Sequence, residues 1–131
     1  MGIFGGLFDK SSTSGEGDSV QVPWKPLVSE MQLDELPLRS KERAQVIFKH
    51  STTCGISRMV LNMFTKEFDL EAEAADLYFL DLHAHRDVSN SVAQRFGVVH
   101  QSPQLLIIKN GEVTVHASHG EISEISLKDY L

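Results

Sequence analysis

The sequence predicts one α/β domain, a mixed four-stranded sheet with helices on both faces, in the order β-α-β-α-β-β-α. Three observations carry that expectation. Short apolar runs of strand length alternate with longer segments of helical periodicity. Asn110-Gly111 lies between two such runs and is the two-residue signal of a tight hairpin. A length of 131 residues lets one domain bury a core without disulfide staples.

Residues 9–19 are serine, glycine and charged residues, with little to bury against the entropy cost of ordering. A flexible tail over 1–19 and a folded domain over 20–131 are therefore expected. Val22-Pro-Trp-Lys-Pro26 opens the domain as a stiff extended segment with an aromatic anchor. Ser29, followed by Gln32, forms a capping-box pattern for a short helix to Leu36, which Pro37 is expected to interrupt.

Residues 44–50 read as the first strand, with Val46, Ile47 and Phe48 consecutive and buried on both faces. A polar turn, Ser51-Thr-Thr-Cys-Gly55, leads into a helix over 54–68. Its stripe is Ile56, Val60, Phe64 and Phe68, with Met59 and Met63 alongside. These methionines and Met31 read as core filling. Residues 76–82 form the second strand and 83–87 a loop. A helix over 88–96 carries Val88, Val92 and Phe96, and Gly97 ends it.

The third strand covers 103–109, and 112–117 returns antiparallel. A last short helix is expected over 123–130. Single-helix crossovers are expected to place the first three strands parallel. The acidic stretch 67–76, with Glu71, Glu73 and Asp76, reads as a solvated helix end and turn, and 41–43 as an exposed loop. This order, with a hairpin supplying one antiparallel edge, is the thioredoxin architecture.

Composition narrows the function. Apolar residues make up 41% and charged residues 23%, the balance of a soluble globular domain. A net charge of −6 argues against general nucleic-acid affinity, which needs many cations on phosphates. One cysteine excludes an intramolecular disulfide framework and favours a reducing cytoplasm. No run approaches the length of a membrane span, and the glycine-broken start lacks the features of a signal peptide. Gly6 stands where a myristoylation signal wants Ser or Thr.

Cys54 follows a buried strand and opens an amphipathic helix, where unpaired N–H groups and the positive helix end favour a thiolate. Cysteines so placed react as nucleophiles or leaving groups. Gly55 allows close backbone approach. Ser57 takes the place of the second cysteine of a Cys-x-x-Cys site. Its hydroxyl can donate to a thiolate, yet it cannot resolve a mixed disulfide. Ser102-Pro103 opens the third strand, and in this architecture that proline is cis and its loop lies beside the cysteine. The residue before it offers free backbone groups to an extended thiol substrate. Thr53, Gly55, Ser102 and Pro103 are thus the expected substrate contacts, with Cys54 and Ser57 at the chemical centre. Lys49 and His50 are candidates for tuning the thiolate, and strand alternation lets at most one face it.

Phe48-Lys-His-Ser-Thr-Thr-Cys-Gly-Ile-Ser57 and His100-Gln-Ser-Pro-Gln104 resemble the YtxJ family, also described as bacilliredoxin C. Asn110-Gly111 and His116-Ala-Ser-His119 fit the same pattern, and the resemblance runs over residues 23–131. Gly55, where better-known members have proline, and Gly120 after His119 depart from it. The resemblance implies a monothiol oxidoreductase that removes bacillithiol from protein mixed disulfides. Cys54 would be the nucleophile, Ser57 the lost resolving position and Pro103 the cis-proline. It further implies bacillithiol as cosubstrate with no bound cofactor, thiolated client proteins as partners, and another thiol or redoxin for recycling.

Two other readings differ in class. Cys54-Gly-Ile-Ser57 is similar to the Cys-Gly-Phe-Ser site of monothiol glutaredoxins that carry iron–sulfur clusters. Against it stand the short loop after Lys49 and Ser118-His119-Gly120 in place of paired glycines. The other is a thioredoxin-fold binding or stress module without turnover. His83-x-His85 and His116-x-x-His119 lack the third and fourth ligands a metal needs, so no metal site is assigned.

Overall fold

The computed structural model describes residues 22–71 and 73–131; the tail over 1–19 and the domain's start at Val20 lie outside them. In chain order the elements are β1 (Trp24–Pro26), α1 (Glu30–Arg39), β2 (Ala44–His50), α2 (Gly55–Glu67), β3 (Ala75–Asp81), α3 (Arg86–Phe96), β4 (Gln104–Lys109) and β5 (Glu112–Ser118). Two short 3₁₀ segments, His119–Glu124 and Leu127–Tyr130, follow.

The strands make one sheet in the order β1-β3-β2-β4-β5. All seven residues of β2 are buried, as expected of a central strand. Successive side chains alternate between two cores. Ile47, Tyr78, Leu80, Leu106 and Ile108 pack under α1 and α3, against Leu33, Leu36, Val88 and Val92. Val46, Phe48, Leu77, Leu105 and Ile107 face α2, where Val60 and Phe68 cover them.

The sheet has five strands rather than four. β1 pairs parallel with β3 through Trp24↔Leu77. Three residues, preceded by Pro23 and ending in Pro26, show no periodicity, so the strand is invisible to pattern; prolines are tolerated there because it is an edge. Trp24 fixes it, stacked on Phe64 at 5.6 Å and edge-on to Phe48 and Phe79. Each such aromatic pair contributes about 1 kcal/mol beyond its buried area.

The expected all-parallel arrangement of the three central strands is also corrected. β2 and β3 are parallel, with His50↔Asp81, but β4 runs antiparallel to β2, with Lys49↔Gln104. The connection is a helix plus a return segment, 97–103, and that extra chain lets β4 start at the end where β2 finishes. The right-handed crossover rule governs only connections between parallel strands. A parallel β4 would start at the opposite end of the sheet from Cys54.

The Ser29 capping box forms: Gln32 N–H donates to Ser29 Oγ and Gln32 Oε1 accepts from Ser29 N–H. Pro37 does not stop α1, because in the last turn it forfeits a single i→i−4 bond. Ser40 closes the helix, its N–H donating to Leu36 C=O and its Oγ to Pro37 C=O at 2.6 Å. Gly97, at φ +66°, terminates α3 as expected. Asn110 and Gly111 both take positive φ, the hairpin conformation their sequence predicts.

The expected C-terminal helix is instead the pair of 3₁₀ segments. Ser123 Oγ donates to Gly120 C=O, and such local side-chain bonds compete with regular helix. Met31, Met59 and Met63 are exposed rather than core. Met59 and Met63 sit one position before Val60 and Phe64, about 100° round the helix, and so face outward.

Asp76 is not solvated. It is buried, accepts from Gln45 Nε2 at 2.8 Å and Lys25 Nζ at 3.0 Å, and lies within reach of Arg43. Burial alone would raise its pKa, but the bonds from Gln45 and Lys25 and the charges of Lys25 and Arg43 outweigh it. The net direction is downward. A depressed carboxyl contributes stability above its unfolded pKa that is lost as pH falls through the folded one. Asp76→Asn is therefore expected to cost about 1–3 kcal/mol near neutrality. It should also flatten the loss of stability below about pH 4. Urea unfolding across pH checks this; identical acid limbs for the two proteins contradict it.

Candidate active site

Parallel pairing of β2 and β3 ends both strands at one edge of the sheet, and the antiparallel β4 begins there. Three chain segments therefore meet: the turn after β2, the loop after β3 and the segment before β4.

Cys54 is the N-cap residue of α2, half-buried, with a free thiol. No side chain caps this helix start. Cys54 N–H donates to Ser51 C=O and Cys54 C=O accepts from Arg58 N–H, which fixes the turn that presents the sulfur. A Cβ built on Gly55 meets nothing within 4 Å, so glycine leaves open space beside the thiol rather than relieving a clash. Ile56 and Met59, both more than half exposed, leave apolar side chains on the surface of the first two turns of α2.

Ser57 is fully buried, and its hydroxyl is engaged within the protein. It accepts from Ser51 N–H at 3.1 Å and contacts His50 Nδ1 at 2.9 Å. The Ser57 hydroxyl, able in principle to donate to a thiolate, instead pegs the Ser51 turn to α2. Alternation places His50 on the α2 face and Lys49 on the other. Neither bonds the sulfur. Burial lowers the His50 pKa, Arg58 and His83 push the same way, and Asp81 opposes them. Lys49 is fully buried, donates to Ser89 C=O at 3.1 Å and contacts His100 Nδ1 at 3.2 Å.

The Ser102–Pro103 peptide is cis. Ladder pairing starts at Gln104, which leaves the Ser102 backbone outside the sheet. Pro103 C=O accepts from His119 N–H at 3.0 Å, and His119 holds a positive φ of 56° to do so. A groove of about 480 Å³ adjoins this segment, lined by residues that include Val99, Gln101, Gln104, His116 and His119.

His83 is the residue that sequence reasoning missed. Its Nε2 meets Ser51 Oγ at 2.8 Å and Thr53 Oγ1 at 3.2 Å, bracing the turn before Cys54. Asp81 Oδ1 accepts from the N–H groups of His83 and Ala84 and so shapes that loop. The available signal was the parallel pairing of two strands of equal length, which brings the residues just after each together. Among the described residues no cluster of three or more His, Cys, Asp or Glu side chains is arranged to hold a metal ion. No helix among them is long and apolar enough to cross a membrane.

Comparison with known proteins bears on family and fold. The family described as "Monothiol bacilliredoxin BrxC" matches residues 25–127. A solved thioredoxin-fold protein described as a candidate oxidoreductase is 32% identical, covering 81% of this chain and 91% of its own, with a TM-score of 0.66. Thioredoxins of Malassezia sympodialis and Schistosoma mansoni share the fold. They are 20% and 17% identical, with TM-scores of 0.61 and 0.63. The first match covers 79% of this chain and 84% of the relative, the second 82% and 95%.

Ser57→Ala removes the partner of two buried groups and is expected to cost about 1–3 kcal/mol, read as a lower urea midpoint. A midpoint equal to wild type contradicts the peg. A histidine held below its ordinary pKa contributes stability above about pH 6.5 that is lost as pH falls. His50 is accordingly expected to stay neutral below pH 6.5 in an imidazole NMR titration; a midpoint above that value would overturn its assigned environment.

Proposed function

Since this chain belongs to the monothiol bacilliredoxin BrxC family, a thiol-oxidoreductase family of thioredoxin fold, we propose that Cys54 removes bacillithiol from protein mixed disulfides. The observation that carries the reading is a single free thiol at the uncapped start of α2, with serine in the resolving position. A helix N-terminus favours the thiolate in attack and in departure.

In the proposed step Cys54 thiolate attacks the bacillithiol sulfur of the client's mixed disulfide. The new Cys54–bacillithiol S–S bond replaces the broken client S–S bond, and the client leaves as a thiolate that takes a proton from solvent. One disulfide is consumed and one formed. A second low-molecular-weight thiol or another redoxin must then attack the adduct, because Ser57 cannot. The client's extended backbone would pair with Ser102 beside cis-Pro103, with Thr53 and Gly55 on the opposite side. Apolar client side chains would rest on Ile56 and Met59. The cytoplasm, where thiols stay reduced, is the proposed compartment.

Intact mass spectrometry tests this directly, with bacillithiolated and glutathionylated clients in parallel. The expected result is a Cys54 adduct gained from the bacillithiolated client and none in Cys54→Ser. A wild-type protein that gains no adduct from either client, while Cys54 reacts freely with an alkylating reagent, would sink the proposal. A brown, cluster-containing dimer as purified would turn the reading to cluster carriage.

A further inference from the structure

Lys49 is the group in this fold that packing alone explains least. It has no exposed surface, and among the described residues no carboxylate pairs with it. Burying an unpaired ammonium is costly, and an apolar side chain in its place would be cheaper. Its contacts are selective. The ammonium donates to Ser89 C=O of α3 and contacts His100 Nδ1, in the segment that leads to Pro103. Ser89 Oγ meets the same Nδ1 at 3.3 Å. Across the ladder Lys49 sits opposite Gln104, the first residue after the cis-proline. One buried side chain thus joins β2, α3 and the segment 97–103.

We propose that Lys49 is a positioning residue for the client-binding backbone at Ser102–Pro103, and that His100 makes this positioning pH-dependent. The inference rests on the reading above, in which a client pairs with Ser102. For Nδ1 to accept from the ammonium it must carry a lone pair. Protonation turns it into a donor facing a cation, so the bond from Lys49 is lost, while Ser89 Oγ can still accept from the new N–H. The charged groups acting on His100 are Lys49 of β2 and Arg86 of α3. His100 is exposed overall, and partial desolvation of its ring first, then these two charges, hold its pKa below the ordinary histidine value. With respect to His100 the latched state is therefore complete above about pH 6.5 and is lost as pH falls. Burial also pushes Lys49 down to about 8, so the ammonium that makes this contact is itself lost above that pH and the latch is bounded on both sides.

The test uses full-length protein carrying Cys54→Ser, with a peptide bearing a bacillithiol mixed disulfide as probe. Its dissociation constant is measured at pH 7.5 and 5.5. It is expected to weaken at least threefold at the lower pH, and the Ser102 amide NMR signal should titrate with the His100 ring. His100→Gln keeps an acceptor and cannot titrate, so its affinity should match at the two pH values. Lys49→Met should weaken binding equally at both, without lowering the thermal midpoint. Should that variant not fold, His100→Gln alone decides.

Unchanged wild-type affinity across pH, or the same pH dependence in His100→Gln, overturns the inference. The reading beneath it is separated by the mass assay on the protein with Cys54 intact. An adduct at pH 7.5 with no effect of these substitutions sinks only the latch, whereas no adduct at all removes both.

Discussion

Complete burial of β2 up to its last residue is the constraint on which the rest of this molecule depends. A central strand is ordinarily apolar to its end. Here it finishes in Lys49 and His50, an ammonium and a neutral imidazole, both buried with the strand. Alternation sends one to each face. Each must find partners there, and the partners it finds are the elements that surround the thiol. His50 engages Ser57 and, through it, the Ser51 turn. Lys49 engages α3 and the segment before the cis-proline. The polar end of one strand therefore organises both sides of the site.

Strand direction supplies the second part of the logic. β3 parallel to β2 brings His83 against Ser51 and Thr53, while β4 antiparallel to β2 brings Ser102 and Pro103 to the same edge. Four residues, 51–54, separate the end of one ladder from α2, too few to wander, and Cys54 is caught between segments each tied to a ladder. His119 adds a tie from beyond β5, its N–H on Pro103 C=O. The thiol itself stays half-buried at an uncapped helix start, so the rigidity lies in its surroundings and the access in its immediate neighbours, Gly55 and Ile56.

The two polar networks differ in kind. Ser57 is satisfied by a backbone N–H and an imidazole, an arrangement of neutral groups whose loss costs roughly one buried hydrogen bond or two. Lys49 brings a charge without a counter-charge, which stability alone would not select. That contrast separates a structural peg from a group that links elements at an energetic cost.

Much of this was legible in the sequence. Helical and strand periodicities, the capping box at Ser29, the Asn110-Gly111 hairpin and the position of Cys54 between strand and helix are local features, decided within a few residues by sterics and hydrogen bonding. They fixed the α/β class, and the residues around Cys54 and Pro103 carried the family resemblance. Tertiary structure decided the rest. The three-residue strand at Trp24 exists only because β3 offers an edge and Phe64 a stacking surface. The reversal of β4 depends on how segment 97–103 returns across the sheet, which no window of sequence encodes. The outward turn of Met59 and the inward burial of Asp76 depend on which face meets the sheet. The partners of Ser57, His83 and Lys49 lie 6 to 51 residues away, and contacts over such separations are set by the packing of whole elements rather than by local preference.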